Sequence, residues 1–429
     1  MRFVFWENIV SPHRSAFLRA LTERGHECAL IVDRMASPRR LAMGWRIPEM
    51  GRVRVVEAVD EDVMRREMDG SSSETVHVLG GCHFCRTERY ARRRCVVEKR
   101  RFGMCAEGGV DLTWRRYLRR IMAWGYARRY RSHCDFILAM GNAGVNWYRR
   151  AGYPETKIFP YLYTIENVKP GKKNDENVPL THPSVVSDAP VKWDRAEAFS
   201  VNDSGESTDR FPTMRILYVG SFNHRKATDL LMKAILLVAP QIHNTNWRIS
   251  LIGDGELRPG LERLVTEAKL ADRVDFPGFL PSEEVLRRVE QSDLVVIPSR
   301  HDGWCAVTNE ALQMGTPVVC SDRVGSECVV RNRPELGEVY PCYEVDRLAE
   351  ILRRRIAAGP ASSEQRRRIR DWSVRIQGPA VAEYFEKVMR HVYEDGPRPE
   401  PTWEMGPETV SGEARAVDSM EAEGLGGGS

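Results

Sequence analysis

Apolar and polar positions in this chain follow two periods in turn. Short, wholly or mostly apolar runs recur at Phe3–Trp6, Cys28–Val32, Val53–Val56, Thr75–Leu79, Phe102–Ala106 and Phe136–Met140. Several end at glycine-bearing turns: Gly80-Gly81, Glu107-Gly108-Gly109 and Gly141-Asn142-Ala143-Gly144. Runs this short and this apolar suit strands buried on both faces, as in a parallel sheet. Helical spacing fills the gaps. Phe17, Leu18 and Leu21 share one face of a helix predicted over Arg14–Arg24, which stops at Gly25, and a second helix is expected over Val145–Arg150. Ile158–Tyr163 closes this first set. The pattern restarts with strands at Arg215–Val219, Ile249–Ile252, Val274–Phe276, Leu294–Ile297 and Pro317–Cys320. Helices are predicted over Leu261–Ala268, Ser282–Glu290 and Asp346–Ala357. Strand, turn and helix alternating through two separate sets predict an α/β chain of two doubly wound, Rossmann-like domains. Ligands of such sheets sit outside the carboxyl ends of the strands.

Domain boundaries are expected where the periodicity stops. Residues 1–168 form the first domain and 214–376 the second; 429 residues suit two domains of ordinary size. Residues 169–213 are rich in Pro, Ser, Asp, Asn, Lys and Glu and read as a disordered or loosely ordered insertion. A last helix is expected within 377–395, with Val381, Tyr384, Phe385, Val388 and Val392 apolar. The Pro-, Glu- and Gly-rich stretch 396–429 is expected to be a disordered tail.

Composition changes this picture little. The net charge of +4 does not point to nucleic acid, and no apolar run approaches the roughly 20 residues of a membrane span. Met1-Arg2-Phe3-Val4-Phe5-Trp6-Glu7 reads as a strand interrupted by an acid rather than a signal peptide, so a cytoplasmic protein with reduced cysteines is expected. Cys82-His83-Phe84-Cys85 has Cys95, Cys105 and His77 nearby, but no second such pair completes a metal site, and none is expected. Charge distribution says more. Residues 86–131 crowd arginines, among them Arg89, Arg92, Arg93, Arg94, Arg128, Arg129 and Arg131, around Trp114, Tyr117, Leu118, Ile121, Met122 and Trp124. Such a segment either lies on an anionic membrane surface or is a solvated basic face over an ordinary core stripe.

Candidate chemistry gathers in Pro298–Val319. Asp302 falls in a turn after a strand, and Glu310 on a helix predicted from about Val307, whose start favours an anion such as phosphate. A second element, Gly220-Ser221-Phe222-Asn223-His224-Arg225-Lys226, places a glycine after a strand and two cations at a loop-to-helix junction.

Asp302, Gly303, Trp304, Glu310, Ala311 and the run Met314–Val319 resemble the signature of family 4 retaining glycosyltransferases of the GT-B fold. The likeness extends to enzymes of cell-surface polysaccharide and lipopolysaccharide assembly. It implies two facing Rossmann-like domains, with the last helix crossing back to the first. It also implies transfer of a sugar from a nucleotide-diphosphate sugar to a glycan or lipid-linked acceptor, without metal or cofactor. By resemblance, Glu310 hydrogen-bonds the ribose, Asp302 meets the sugar hydroxyls, and Lys226 with Gly220 and Ser221 meets the diphosphate. Cys305, Ala306 and Val307 would offer backbone N–H groups. The turns carrying Gly253 and Phe279-Leu280 complete the nucleotide side. Two departures stand out: Asp302 replaces the usual Glu, and Ser221 replaces an Arg whose charge Arg225 is expected to supply. On the acceptor side His13, Gly80, Gly81, His83, Glu107 and Gly141 lie at strand ends. The rival readings are a catalytically impaired GT-B subunit that binds a donor or scaffolds a partner, and a sugar-nucleotide epimerase. The expected location is the cytoplasm, or the inner face of the cytoplasmic membrane reached through residues 86–131; no nucleic-acid partner is expected.

Overall fold

The structure, a computed structural model, describes residues 1–38, 41, 46–80, 85–108, 116–167, 213–242 and 245–405. The insertion at 169–213, all but its last residue, and Gly81 to Phe84 therefore lie outside the described residues.

The first sheet has seven strands: β1 (Arg2–Ile9), β2 (Glu27–Arg34), β3 (Arg54–Glu57), β4 (Val76–Leu79), β5 (Phe102–Ala106), β6 (Phe136–Met140) and β7 (Ile158–Tyr161). Their order is β3-β2-β1-β4-β5-β6-β7, all parallel. The second sheet has six: β8 (Met214–Val219), β9 (Trp247–Ile252), β10 (Val274–Gly278), β11 (Leu294–Ile297), β12 (Val318–Ser321) and β13 (Gly337–Tyr340). Their order is β10-β9-β8-β11-β12-β13, again all parallel. The chain is thus an α/β protein of two doubly wound sheets. In each, the strand order reverses direction beside the central strands, which is where open sheets leave a crevice.

The apolar runs explain why these are central strands. Phe3, Val4, Phe5 and Trp6 of β1 are all fully buried. Phe3 and Phe5 point into one core cluster while Val4 and Trp6 point into another on the opposite face. The final helix, Gly378–Tyr393, returns to the first domain. It lays Phe385 edge-on against Phe3, Phe17 and Phe136, with ring centroids 5.1, 5.4 and 6.4 Å apart. Glu386 takes Arg24 and His26 at 2.6 and 2.7 Å, and the Tyr393 hydroxyl donates to Asp135. Gly378 allows this crossing: a Cβ there would lie 2.6 Å from the Ala16 carbonyl oxygen.

One expectation is corrected. Residues 396–405 are not a disordered tail but pack as a strap. Trp403 is buried, with its ring 5.4 Å from that of Tyr384. Arg398 lies 4.5 Å over Phe159 and donates to the Ile158 carbonyl. Arg375 donates to Met405 O at 2.5 Å. One tryptophan and one arginine overrode the Pro- and Glu-rich composition. Residues 406–429 lie outside the described residues.

Candidate functional site

The two polar turns of the second domain are laced together. Arg300 is buried and holds Asp229 with both Nη atoms, at 2.8 and 2.6 Å, and the His224 carbonyl at 2.7 Å. Its own N–H donates to Arg225 O at 2.9 Å. The loop after β8 is shaped by glycines where backbones touch. A Cβ on Gly253, at φ +132°, would sit 2.0 Å from the Gly220 carbonyl oxygen. Asn223 Oδ1 accepts from Lys226 N at 2.9 Å, and Ala227 turns left-handed at φ 59° before the helix Thr228–Val238. This turn aims Lys226 at Asp302: Nζ lies 2.5 Å from Oδ2, and both side chains are largely buried. Burial opposes both charges, but their attraction prevails. Asp302 is held below the usual carboxylate range. Lys226 stays above its ordinary value, with Cys305 as well as Asp302 countering its burial. Arg225 extends beside them, donating to His301 O at 3.2 Å.

Asp302 is itself pinned. Its N–H donates to Arg323 O and its carbonyl accepts from Gly325 N, at 3.1 and 2.9 Å. Cys305 then adopts a left-handed φ of 76° and opens the helix Ala306–Gln313. The first N–H groups of a helix have no intrahelical acceptor, so Ala306 and Val307 present donors at its positive end. One turn on, Glu310 has no hydrogen-bond partner for its carboxylate among the described residues, and burial pushes its carboxyl up to about 7. Trp304, which the resemblance counts among the donor-binding residues, turns inward. Its ring is 2% exposed, and its Nε1 donates to Asn309 Oδ1 at 2.8 Å. Asn309 in turn donates to Tyr163 O of the first domain at 3.1 Å. Trp304 therefore lends backbone and packing rather than a ring surface. At the edge, Gly278 N-terminal to Phe279 accepts from Gly253 N at 2.8 Å; Phe279 is 61% exposed and Leu280 half-buried.

The first domain faces this loop with its own polar groups. Glu107, after β5, reaches so close to Gly303 that a Cβ there would meet its Oε2 at 1.8 Å. Desolvation and then the charge of Asp302 raise the Glu107 carboxyl, while a Tyr163 hydrogen bond lowers it. Glu7, Arg14 and Tyr163 lie behind, with Arg14 Nε 3.0 Å from Glu7 and its guanidinium 5.8 Å from the Tyr163 ring centre. The His13 ring centre is also 5.8 Å from that of Tyr163. Gly80 abuts the Glu7 carboxylate. Gly141, at φ +58°, meets Gly325 O across the domains, and Asn142 donates to Glu327 at 2.9 Å. Gly81 and His83 lie outside the described residues. Cys85 of the Cys-x-x-Cys pair donates to Asp33 at 3.2 Å, and Asp33 caps the helix Arg86–Val97. Sequence reasoning missed Arg300, Asn309 and Tyr163. The arginine and asparagine sit inside the quoted motif, where an unpaired polar residue at a core-facing position was the available signal; Tyr163 carried none.

The second domain thus joins Lys226, Arg225, Asp302 and Glu310 at the carboxyl ends of β8 and β11, opposite Glu107 of the first. Two Rossmann-like sheets facing one cleft, with the last helix crossing back, define the GT-B architecture. Solved structures agree. The fold matches the Anabaena protein HepE in complex with UDP at TM-score 0.64 and 13% identity, over 91% of this chain and 100% of that one. It matches the lipopolysaccharide outer core galactosyltransferase WaaB at TM-score 0.61 and 12% identity, over 91% and 99%. Residues 210–372 match the family model Glycosyl transferases group 1. The alpha-D-kanosaminyltransferase of Streptomyces kanamyceticus is 29% identical over 139 residues, 32% of this chain and 35% of that protein. The chain spans about a third of the length of the curated relatives it matches.

Proposed function

We propose that this chain is a retaining, metal-independent glycosyltransferase. It would move a sugar from a nucleotide-diphosphate sugar to a glycan or lipid-linked acceptor in cell-surface polysaccharide assembly. One observation carries the reading: the Lys226–Asp302 pair precedes the open end of the helix Ala306–Gln313, on which Glu310 has no carboxylate partner among the described residues. A departing diphosphate gains negative charge, and Lys226, Arg225 and the helix N–H groups would stabilise it. Arg225, which donates to His301 O beside this pair, would offset the Ser221 departure. An ionised Glu310 can accept from both ribose hydroxyls. Asp302, released from Lys226 as the diphosphate takes that cation, would accept from sugar hydroxyls. That HepE was solved with UDP and with UDP-glucose supports a donor of this class.

The acceptor side suggests where the reaction occurs. The helix Arg116–Tyr130 exposes Leu118, Ile121, Met122 and Trp124, with Arg128, Arg129 and Arg131 at its end. Apolar side chains beside arginines fit an anionic membrane surface, and a lipid-linked acceptor would be met there. No described helix is long and apolar enough to cross a membrane. Incubation with UDP-, GDP- and ADP-sugars in excess EDTA tests the reading. One donor should be consumed, and the sugar first released by slow hydrolysis should keep the donor's anomeric configuration by proton NMR. Inversion, or loss of turnover with EDTA, would overturn it.

A further inference from the structure

A cavity of about 550 Å³ opens between Asn142 of the first domain, the loop Arg331–Glu335 and helix-end residues Trp372 and Arg375 of the second, and the strap at Glu404–Met405. It shares no residue with the donor cleft. Its volume lies in the range of small-molecule sites, about 300–1,000 Å³.

Two guanidiniums dominate its wall. Arg333 is spent on backbone: it donates to the carbonyls of Cys328, Val329 and Arg331 at 3.3, 3.3 and 3.4 Å, and to that of Trp403. It lies 5.5 Å over the Trp372 ring. Among the described residues the Arg375 side chain makes one hydrogen bond, from Nη1 to Met405 O at 2.5 Å. Its Nε and Nη2 have no acceptor among the described residues. Burial and then the charge of Arg333 hold Arg375 below its ordinary value, and among the described residues no carboxylate offsets them. Glu335 and Glu404 also line the cavity, but neither forms an ion pair with Arg333 or Arg375 among the described residues. Arg331, the third arginine, is already paired with Glu327. The Arg375 end of the cavity therefore holds a cation with two free donors, set beside an indole that is half-buried.

We propose that this cavity is a second ligand site, for a small phosphate-bearing compound whose phosphate bonds the free Nε and Nη2 edge of Arg375 and whose flat or apolar group lies against Trp372. A guanidinium offers two parallel donors to a phosphate, and an aromatic face takes a planar group. Because the wall comes from both domains and the strap, occupancy ties the three together.

Inorganic phosphate and phenyl phosphate are the probes, followed by isothermal titration. The background is Arg225→Ala with Lys226→Ala, which removes the donor-site cations. In that background phenyl phosphate should bind with one-to-one stoichiometry and more tightly than inorganic phosphate. Arg375→Gln should weaken both at least tenfold. Trp372→Leu, which leaves the strap bonds of Arg375 and Arg333 in place, should weaken phenyl phosphate severalfold and leave inorganic phosphate unchanged. Absence of saturable binding in the donor-site background overturns the proposal. So does equal binding by Arg375→Gln protein whose unliganded melting temperature matches its parent.

Discussion

Lys226 and Asp302 lie 76 positions apart in the chain and meet at 2.5 Å. Removing one partner strands the other in a poorly solvated place. Lys226→Ala should destabilise the protein by about 3 kcal/mol, read by urea denaturation. Adding Asp302→Asn should restore most of that loss, because no unpaired charge then remains. Equal stability of the two variants would contradict a buried pair. Glu310 predicts a pH effect. Its folded-state pKa of about 7 exceeds the ordinary carboxylate value. The folded state thus binds the proton more tightly, and the group's burial penalty grows as pH rises from about 4.5 to 7. Glu310→Gln should raise Tm at pH 8 and make no difference at pH 4. A constant difference at both would show that Glu310 titrates normally. The residue scale is also where sequence was most informative. Asp302, Glu310 and Lys226 stood out by their place after strands and by the family resemblance those turns carry. What spacing could not show was that Trp304 turns inward onto Asn309, since a motif gives positions along a chain and not the side of the backbone a ring occupies.

Elements were legible where one force shaped them. Apolar runs announce strands, and each run named from the sequence falls on a strand here, the half-buried edge strands β3 and β10 included. β13, Gly337-Glu338-Val339-Tyr340, was not expected, because an edge strand needs only one buried face and half its residues are polar or glycine. The helix Ser363–Ser373 was hidden by its run of charged residues around Ile369. The strap at 396–405 escaped because its order comes from distant partners, Tyr384 and Phe159, rather than local propensity. Its role is testable. Trp403→Ala should cost about 3 kcal/mol, as for other fully buried aromatics, by denaturant unfolding. A change under 0.5 kcal/mol would mean the strap is dispensable.

At the scale of the molecule, two domains make one cleft through few but close contacts. Gly141 lies on Gly325, Asn142 bonds Glu327, Asn309 bonds Tyr163 and Glu107 covers Gly303. The crossing helix joins the aromatic core of the first sheet to the second domain, and one hydrophobic cluster runs through both. The exposed face of Arg116–Tyr130 belongs to this scale too. Flotation with vesicles containing about one-third anionic lipid should carry the protein upward, and Leu118→Ser with Met122→Ser should abolish that. Equal flotation with neutral vesicles would remove the electrostatic part of the argument.

The measurement that bears most directly on the central claim is nucleotide binding at this cleft. Isothermal titration of UDP, GDP and ADP, without divalent metal, should show one of them binding with one-to-one stoichiometry. Lys226→Ala should weaken it at least tenfold through the diphosphate, and Glu310→Gln should weaken it through the ribose, each in protein of native circular dichroism. Failure of all three nucleotides to bind the well-folded wild type would contradict the account, as would binding that neither substitution alters.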